Sequence, residues 1–527
     1  MKVLISDPVA KECVEILRAE GLQVDHRVGL SDRDLKKIVG GYAALIVRSG
    51  TKVTAELIDA AERLRVIGRA GAGVDNIDVE AATRRGIIVM NTPGGNTIST
   101  AEHTLSLLLA LSRNIPQASL ALKRGEWDRS QYTGVELYGK TLGIIGMGKV
   151  GTEVARRAIA FGMTVIGYDP FLSEEIAENL GVGLVDLDHL YTRSDFLSIH
   201  ASLTDETKDL LSDVAFSQCK PGVRLINCAR GEIVDQKALL RAIESGKVAG
   251  AALDVFEHEP PSDEEFQLIE RPEVICTPHL GASTKEAQVN IALQIARQVA
   301  DVLLDRTVQN AVNVPSLPSG IYEKLQPYLC LAEKIGSLHA QLGEGRLLRI
   351  TIEYYGDVLS YPTSPITSGV LKGVMDRMCG GRVNYVNAPI FAQQRGVRVD
   401  EIRSSEHRDF LTLVNVIYVT DKGQRAISGT IFGKNDPRIV GIDGYRIDAH
   451  PEGEMLICLN EDVPGVIGRI GTILGNRGIN IGRMAWGRIQ AGGRAMTLLN
   501  LDNSIADGVM AEIASQPYVI WVKKVTL

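Results

Sequence analysis

Apolar residues fall in short bursts along this chain, and their spacing sorts them into strands and helices. Up to about Gly95, Val3–Ser6, Leu45–Arg48, Val66–Arg69 and Ile87–Asn91 read as strands, with helical stretches between them. A helix pattern from Ala101 to about Asn114 follows, then a polar segment to Gly139. A second strand–helix series begins there, and its later strands read Phe196–His200, Arg224–Cys228, Gly250–Asp254 and Val274–Thr277. A long helix pattern runs from Thr284 to about Leu304. Asn310–Val314 then leads into Pro315-Ser-Leu-Pro-Ser-Gly320, whose composition marks a domain boundary. Residues from about 321 to 450 read as α+β, and Pro451-Glu-Gly453 as another short linker. Beyond it, Met455–Asn460, Ile479–Arg488, Ala495–Leu501 and Val519–Val525 read as strands, with Gly465–Arg477 and Ile505–Ser515 as helices. That order, βαββαβ, predicts a ferredoxin-like module.

The junction Leu142-Gly-Ile-Ile-Gly-Met-Gly-Lys-Val-Gly151 carries the first chemical signal. A buried-looking strand runs into Gly146-x-Gly148-x-x-Gly151, and a helix pattern follows at once. Gly146 permits the tight turn, Gly148 lets backbone approach a pyrophosphate, and Gly151 allows close helix–strand packing. The helix N-terminus adds N–H donors and positive dipole. Asp169 closes the next strand, where a carboxylate suits ribose hydroxyls and repels a 2′-phosphate. The expected cofactor is therefore NAD.

Composition narrows the field. A length of 527 residues predicts three or four domains, and 45% apolar residues provide ample cores. A net charge of −7, with no Lys/Arg block, argues against nucleic-acid binding. The longest apolar run, around Leu105 to Leu111, is far too short to span a membrane, and the N-terminus reads as a strand rather than a signal peptide. Seven scattered cysteines with no C-x-x-C read as free thiols of a cytoplasmic protein. No set of side chains has metal-ligand spacing.

In an open α/β sheet, ligands bind outside the carboxyl ends of the strands. Arg230 follows Leu225-Ile-Asn-Cys-Ala229, Asp254 ends Ala251-Ala-Leu253, Glu259 lies five residues further, and His279 follows Ile275-Cys-Thr-Pro278. One guanidinium, one carboxylate and one imidazole thus converge where the glycine motif puts NAD. Oxidising a secondary alcohol removes the hydroxyl proton as hydride leaves, and histidine suits that transfer. Glu259 on the other ring nitrogen would fix the tautomer and favour imidazolium. Arg230 would grip a carboxylate beside the reacting carbon and polarise the forming carbonyl.

These residues resemble the D-isomer-specific 2-hydroxyacid dehydrogenase family. The resemblance runs through Arg69-Ala-Gly-Ala-Gly-Val-Asp-Asn76, Asn91-Thr-Pro-Gly-Gly-Asn96, the glycine motif, Asn227-Cys-Ala-Arg-Gly231, Ala252-Leu-Asp-Val-Phe-Glu-His-Glu-Pro260 and Pro278-His-Leu-Gly-Ala-Ser-Thr284. Within the family it is similar to the long-form branch, which oxidises D-3-phosphoglycerate at the start of L-serine synthesis. The resemblance implies an α/β fold in which a Rossmann-like NAD domain (96–282) is inserted in a flavodoxin-like substrate domain (1–95 and 283–316). An intervening α+β domain (317–452) and a ferredoxin-like ACT domain (453–527) follow. It implies catalytic roles for Arg230, Glu259 and His279. Cofactor contacts are implied at Lys149, Val150, Asp169, Cys228, Ala229, Asp254 and around Gly281. Ala72 and Ala201 stand where relatives often carry Thr, so at Ala201 a cofactor contact would be through backbone.

A phosphorylated hydroxy acid needs more cations than lactate does. Arg48 and Arg69 end first-domain strands, and with Asn96 they match substrate-binding positions of the branch. Trp127 and Arg129 match a region that reaches a neighbouring subunit, so a homodimer or homotetramer is expected. In the last module, Asn460-Glu-Asp-Val-Pro-Gly465 and Gly478-Ile-Asn-Ile481 resemble the amino-acid site of ACT domains. Asp462 and Asn480, with Asn460 as a weaker candidate, would bind L-serine as feedback effector. Two other readings stay open at this stage. One is another D-2-hydroxyacid dehydrogenase, acting on glyoxylate, hydroxypyruvate or 2-oxoglutarate; the other is a non-enzymatic NAD-sensing corepressor on the same fold.

Overall fold

The computed structural model describes residues 1–314, 321–379 and 383–527. The Pro315–Gly320 boundary expected above lies outside the described residues. Four sheets organise the rest. The first has β1 (Lys2–Ile5), β2 (Gln23–His26), β3 (Ala44–Val47), β4 (Val66–Arg69) and β5 (Ile88–Met90), all parallel in the order β2-β1-β3-β4-β5. β3 reads Ala-Leu-Ile-Val and is buried throughout, as expected of a parallel strand covered by helices on both faces.

The helix Thr97–Arg113 leads from this sheet to the second, starting four residues before the expected Ala101. The stretch to Gly139 is not uniformly irregular. Asn114, with φ +50°, ends the crossover helix, and Pro116 in the first turn opens another, Ile115–Lys123. Its Ile115, Leu120 and Leu122 are exposed and the small Ala121 is buried, so little intrachain core marks it. The second sheet holds β6 (Thr141–Ile145), β7 (Thr164–Tyr168), β8 (Gly183–Leu184), β9 (Phe196–Ile199), β10 (Val223–Asn227), β11 (Val248–Leu253) and β12 (Val274–Cys276). Its order is β12-β11-β10-β9-β6-β7-β8, again parallel. The order reverses between β6 and β9, the switch point at which doubly wound sheets bind ligands.

The helix Lys285–Leu303 then returns to the first sheet. Its Ile291, Ile295 and Val299 pack among Val3, Ile5, Ala44 and Val66. A Cβ at Gly68 of β4 would stand 2.8 Å from Val299, which is how closely helix and strand meet. Val312 N–H donates to Val89 C=O (2.7 Å), so the returning chain also closes the β5 edge.

The third sheet, β14 (Arg398–Ser404), β13 (Leu347–Gly356), β15 (Thr412–Thr420), β16 (Gly423–Phe432), β17 (Asp436–Ile442) and β18 (Tyr445–Ala449), is antiparallel except for β13–β14. It docks on the first unit: Asn384 Nδ2 donates to Gly86 C=O at 2.7 Å. The fourth, β20 (Ile481–Arg488), β21 (Arg494–Leu501), β19 (Glu454–Glu461) and β22 (Val519–Thr526), is antiparallel and has the βαββαβ order. Alternate residues of β19 serve two cores. Leu456 and Cys458 meet the helices Val466–Asn476 and Asp507–Ala514, whereas Met455, Ile457 and Leu459 join Leu338 and Leu342 of the helix Ile321–Leu342. No helix among the described residues is long and apolar enough to cross a membrane.

Candidate active site

β6 delivers the chain to Gly146, whose φ of +92° suits glycine. A Cβ there would lie 2.7 Å from Ala201 N, and one at Gly151 would lie 2.1 Å from Gly146 O. Glycine is thus what lets strand, turn and helix meet. Gly148 caps the helix Lys149–Ala160 with no side chain, leaving the first N–H groups open to an anion. Asp169, just past β7, accepts from Met147 N and Phe171 N at 2.8 Å each, which holds its carboxylate beside the turn. Open donors, a glycine cradle and a fixed carboxylate fit a dinucleotide with a free ribose. Lys149 Nζ reaches Pro93 C=O at 3.2 Å on the opposite unit. Val150 is partly buried beside it, and the Cys228 thiol, deep below the rim, is pushed by burial to about 12.

The ends of β10, β11 and β12 bring the ionisable groups to one rim. His279 Nδ1 lies 2.7 Å from Glu259 Oε2, and both side chains are partly exposed. His279 itself has φ +53°, a left-handed conformation uncommon for a non-glycine residue. The Asp254 side chain is fully buried and clasps the loop beyond His279. It accepts from Leu280 N (2.7 Å), Gly281 N (2.8 Å), Thr277 Oγ1 (2.6 Å) and His103 Nε2 (3.1 Å). Burial alone would raise the Asp254 carboxyl; the bonds from His103, Thr277 and Leu280 outweigh it and hold it below the ordinary range.

From the first unit, Arg48 and Arg69 point to the same cleft at the ends of β3 and β4. Burial, and then the Arg230 and Arg48 cations, pull the Arg69 guanidinium down to about 10. Its Nε is enclosed and has no hydrogen-bond partner among the described residues. Arg230 Nη1 donates to Ala229 C=O (2.6 Å) and its Nε to Asp75 (3.0 Å), an ion pair across the cleft. Three guanidinium groups face two carboxylates, Asp75 and Asp7, which leaves the site with positive charge in excess.

Residues 105–281 match the NAD-binding domain of the D-isomer specific 2-hydroxyacid dehydrogenases. Residues 324–443 match the D-3-phosphoglycerate dehydrogenase intervening domain, and residues 455–517 the ACT domain. A D-3-phosphoglycerate dehydrogenase of Synechocystis sp. is 45% identical over 97% of this chain and 92% of its own length. That of Methanocaldococcus jannaschii is 43% identical over 98% of both chains. The chain belongs to the D-3-phosphoglycerate dehydrogenase family. A D-lactate dehydrogenase of Aquifex aeolicus, solved with NAD and lactic acid, overlays 60% of this chain and all of its own (TM-score 0.55, 30% identity). As a member of that family, this protein is an NAD-dependent oxidoreductase with a C-terminal ACT domain.

Other residues proposed from sequence lie as follows. Asn96 stands at the start of the crossover helix with Nδ2 3.2 Å from Thr100 Oγ1, and Ala229 N is held by Asn227 Oδ1 at 3.0 Å. All three ACT residues are engaged within the module. Asn460 is 2% exposed, and its amide is taken up by Glu461 C=O and Thr497 Oγ1, because it sits on the buried face of β19 rather than at the mouth. Asp462 pairs with Arg488 (2.8 Å) and Gly492 N (3.0 Å), and Asn480 donates to Asp502 (2.6 Å). Sequence reasoning missed His103, Asp75, Ser99 and Thr100. The one available signal was the polar group Ser99, Thr100 and His103 in the first turns of a helix whose later turns are leucine-rich.

Proposed function

We propose that the enzyme oxidises D-3-phosphoglycerate to 3-phosphohydroxypyruvate, the entry to L-serine synthesis, and that L-serine feeds back through the ACT module. The observation that carries this is the cluster of Arg48, Arg69 and Arg230 beside the His279–Glu259 pair. The substrate has a carboxylate and a phosphate, and this cleft has cations to spare. Arg230 binds the carboxylate next to the reacting carbon, while Arg48, Arg69 and Asn96 take the phosphate end. NAD, when bound, supplies the hydride acceptor. It would be held by the Gly146–Gly151 turn, Lys149, Val150, Asp169, Ala201, Cys228, Ala229, Asp254 and Gly281. As the C–H electron pair leaves the alcohol carbon, His279 Nε2 accepts the hydroxyl proton. Glu259, 2.7 Å from Nδ1, stabilises the imidazolium that forms. Arg230 polarises the new carbonyl oxygen.

The working division is a substrate domain of residues 1–95 and 283–316 around an NAD domain of 96–282. An intervening domain (317–452) and an ACT domain (453–527) complete it. Exposed Leu120, Leu122 and Trp127 support a homodimer through this part of the chain, and paired ACT modules would extend it to a homotetramer. Serine would enter at the open N-terminus of the helix Val466–Asn476, exchanging Arg488 on Asp462 for its ammonium and Asp502 on Asn480 for its hydroxyl. The free thiols fit a cytoplasmic setting. The test is NADH formation from 3-phosphoglycerate at alkaline pH, with and without L-serine, against D-glycerate and D-lactate. Turnover that serine suppresses is the expected result. Activity only on an unphosphorylated acid would overturn the substrate assignment, and indifference to millimolar serine would overturn the regulatory one.

A further inference from the structure

His279 can work only if a backbone in an uncommon conformation is held where it is. Its φ is +53°, and its own N–H is shared between Asp254 C=O (2.9 Å) and Thr277 C=O (3.0 Å). The two residues after it are fixed more firmly. Leu280 N and Gly281 N both donate to the Asp254 carboxylate, at 2.7 and 2.8 Å, and Gly281 C=O accepts from Ser99 Oγ (2.7 Å) and Thr100 Oγ1 (3.2 Å). Side-chain anchoring of Leu280 and Gly281 thus comes from two sources, the Asp254 carboxylate and one turn of the crossover helix.

His103 joins these two sources. It lies on the same helix, one turn beyond Ser99, and its Nε2 is 3.1 Å from both Asp254 Oδ1 and Thr277 Oγ1. A carboxylate only accepts, and the Thr277 hydroxyl already donates to Asp254 at 2.6 Å, so Nε2 must carry the proton and donate. The His103 side chain is 19% exposed and the Asp254 side chain 0%, so water has little access to replace that donor. Without it, one carboxylate oxygen of Asp254 loses a partner on the side that faces the helix. Thr277 Oγ1 and Leu280 N still hold that oxygen, so the carboxylate shifts toward them rather than swinging free, and the two N–H groups beyond His279 shift with it.

We propose that His103 is a positioning residue for the dehydrogenase reaction: through Asp254 it fixes the backbone of the His279 loop, and so the aim of the imidazole. This rests on the reading of His279 as proton acceptor. His103 itself touches neither substrate nor proton in transit.

The experiment compares His103→Ala, His103→Gln and His103→Asn in the full-length enzyme with 3-phosphoglycerate and its C2-deuterated form, alongside His279→Ala. Misaiming a reacting group by a fraction of an ångström to an ångström costs about tenfold to a hundredfold, so the alanine variant loses that much in kcat while KM stays near wild type. The primary isotope effect on kcat rises, because the chemical step becomes slower. A glutamine amide nitrogen can stand where Nε2 stood, whereas the shorter asparagine places its nitrogen nearer Nδ1. Gln therefore restores most of kcat and Asn does not. Wild-type kcat in His103→Ala, an unchanged isotope effect, or equal rates for Gln and Asn would overturn the proposal. If the alanine variant does not fold, the Gln–Asn pair decides alone. Loss of activity in His279→Ala with none in the His103 series sinks only the positioning role, whereas an active His279→Ala sinks the reading beneath it.

Discussion

Replacing Gly73 by alanine should disable the enzyme while leaving its fold alone. A Cβ on Gly73 would lie 1.9 Å from Arg230 Nη2, 3.1 Å from Arg230 Cζ and 2.7 Å from Asp75 Oδ2, where ordinary contact begins at 3.4 Å. The tip of Arg230 must withdraw by about 1.5 Å, roughly three times the tolerance of a functional side chain. The obstacle is the far end of a flexible side chain rather than backbone, so the strain is relieved by moving Arg230. Gly73 has no positive φ, and removing glycine freedom from the unfolded chain is worth at most about 1 kcal/mol in favour of folding. A charge-assisted bond lost between Arg230 and the substrate carboxylate costs about 1.5–3 kcal/mol, or about 10- to 150-fold in kcat/KM. Steady-state kinetics with 3-phosphoglycerate, NAD binding by fluorescence and thermal melting would separate these effects. The expected outcome is a fall in kcat/KM of that size with melting temperature and NAD affinity retained. Unchanged kcat/KM would mean that Arg230 does not act from this position. A collapse in melting temperature would mean that the loop cannot yield.

Three further outcomes are expected. His279→Ala should lower kcat by about 10²–10⁴ with little effect on NAD affinity, and wild-type turnover would remove its assigned role. Arg48→Ala should penalise 3-phosphoglycerate far more than D-glycerate; equal losses would show that Arg48 does not read the phosphate. Burial, with Arg425 nearby, pulls His339 down to about 3 despite its bond to Val416 C=O. The unfolded chain takes up this proton below about pH 6.5 and the folded chain does not. Stability is therefore full above that pH and lost as pH falls, by about 2 kcal/mol between pH 7 and 5. Chemical denaturation at the two pH values would measure this, and a His339→Gln variant with an undiminished pH slope would refute it.

Much of the architecture is legible because it follows from local rules. β4 occupies Val66–Arg69, where the apolar run and its terminal arginine put it, and the glycine turn needs only neighbours in sequence. Convergence at strand ends is a topological rule, so Arg230, Asp254 and His279 could be brought to one rim without coordinates. Contacts between distant segments left no comparable mark. His103 and Asp254 are 151 residues apart, Arg230 and Asp75 are 155, and nothing near either partner announces the other. Asn460 misleads for a different reason. In a strand that serves two cores, polarity alone does not tell which face a residue takes, and β19 turns this one inward. The helix Ile115–Lys123 escaped because its large apolar residues Ile115, Leu120 and Leu122 stay exposed, with the small Ala121 buried.

The two-faced β19 also bears on how the enzyme comes apart. Met455, Ile457, Met496 and Leu498 pack in one cluster with Leu338, Leu342 and Ile350, residues more than a hundred positions earlier. Cutting the chain at Gly453 would uncover an apolar surface on both fragments rather than release a tidy module. The last two hundred residues should therefore melt in one calorimetric transition, separate from that of the NAD-binding half, and protease trimming from the C-terminus should cost both sheets together.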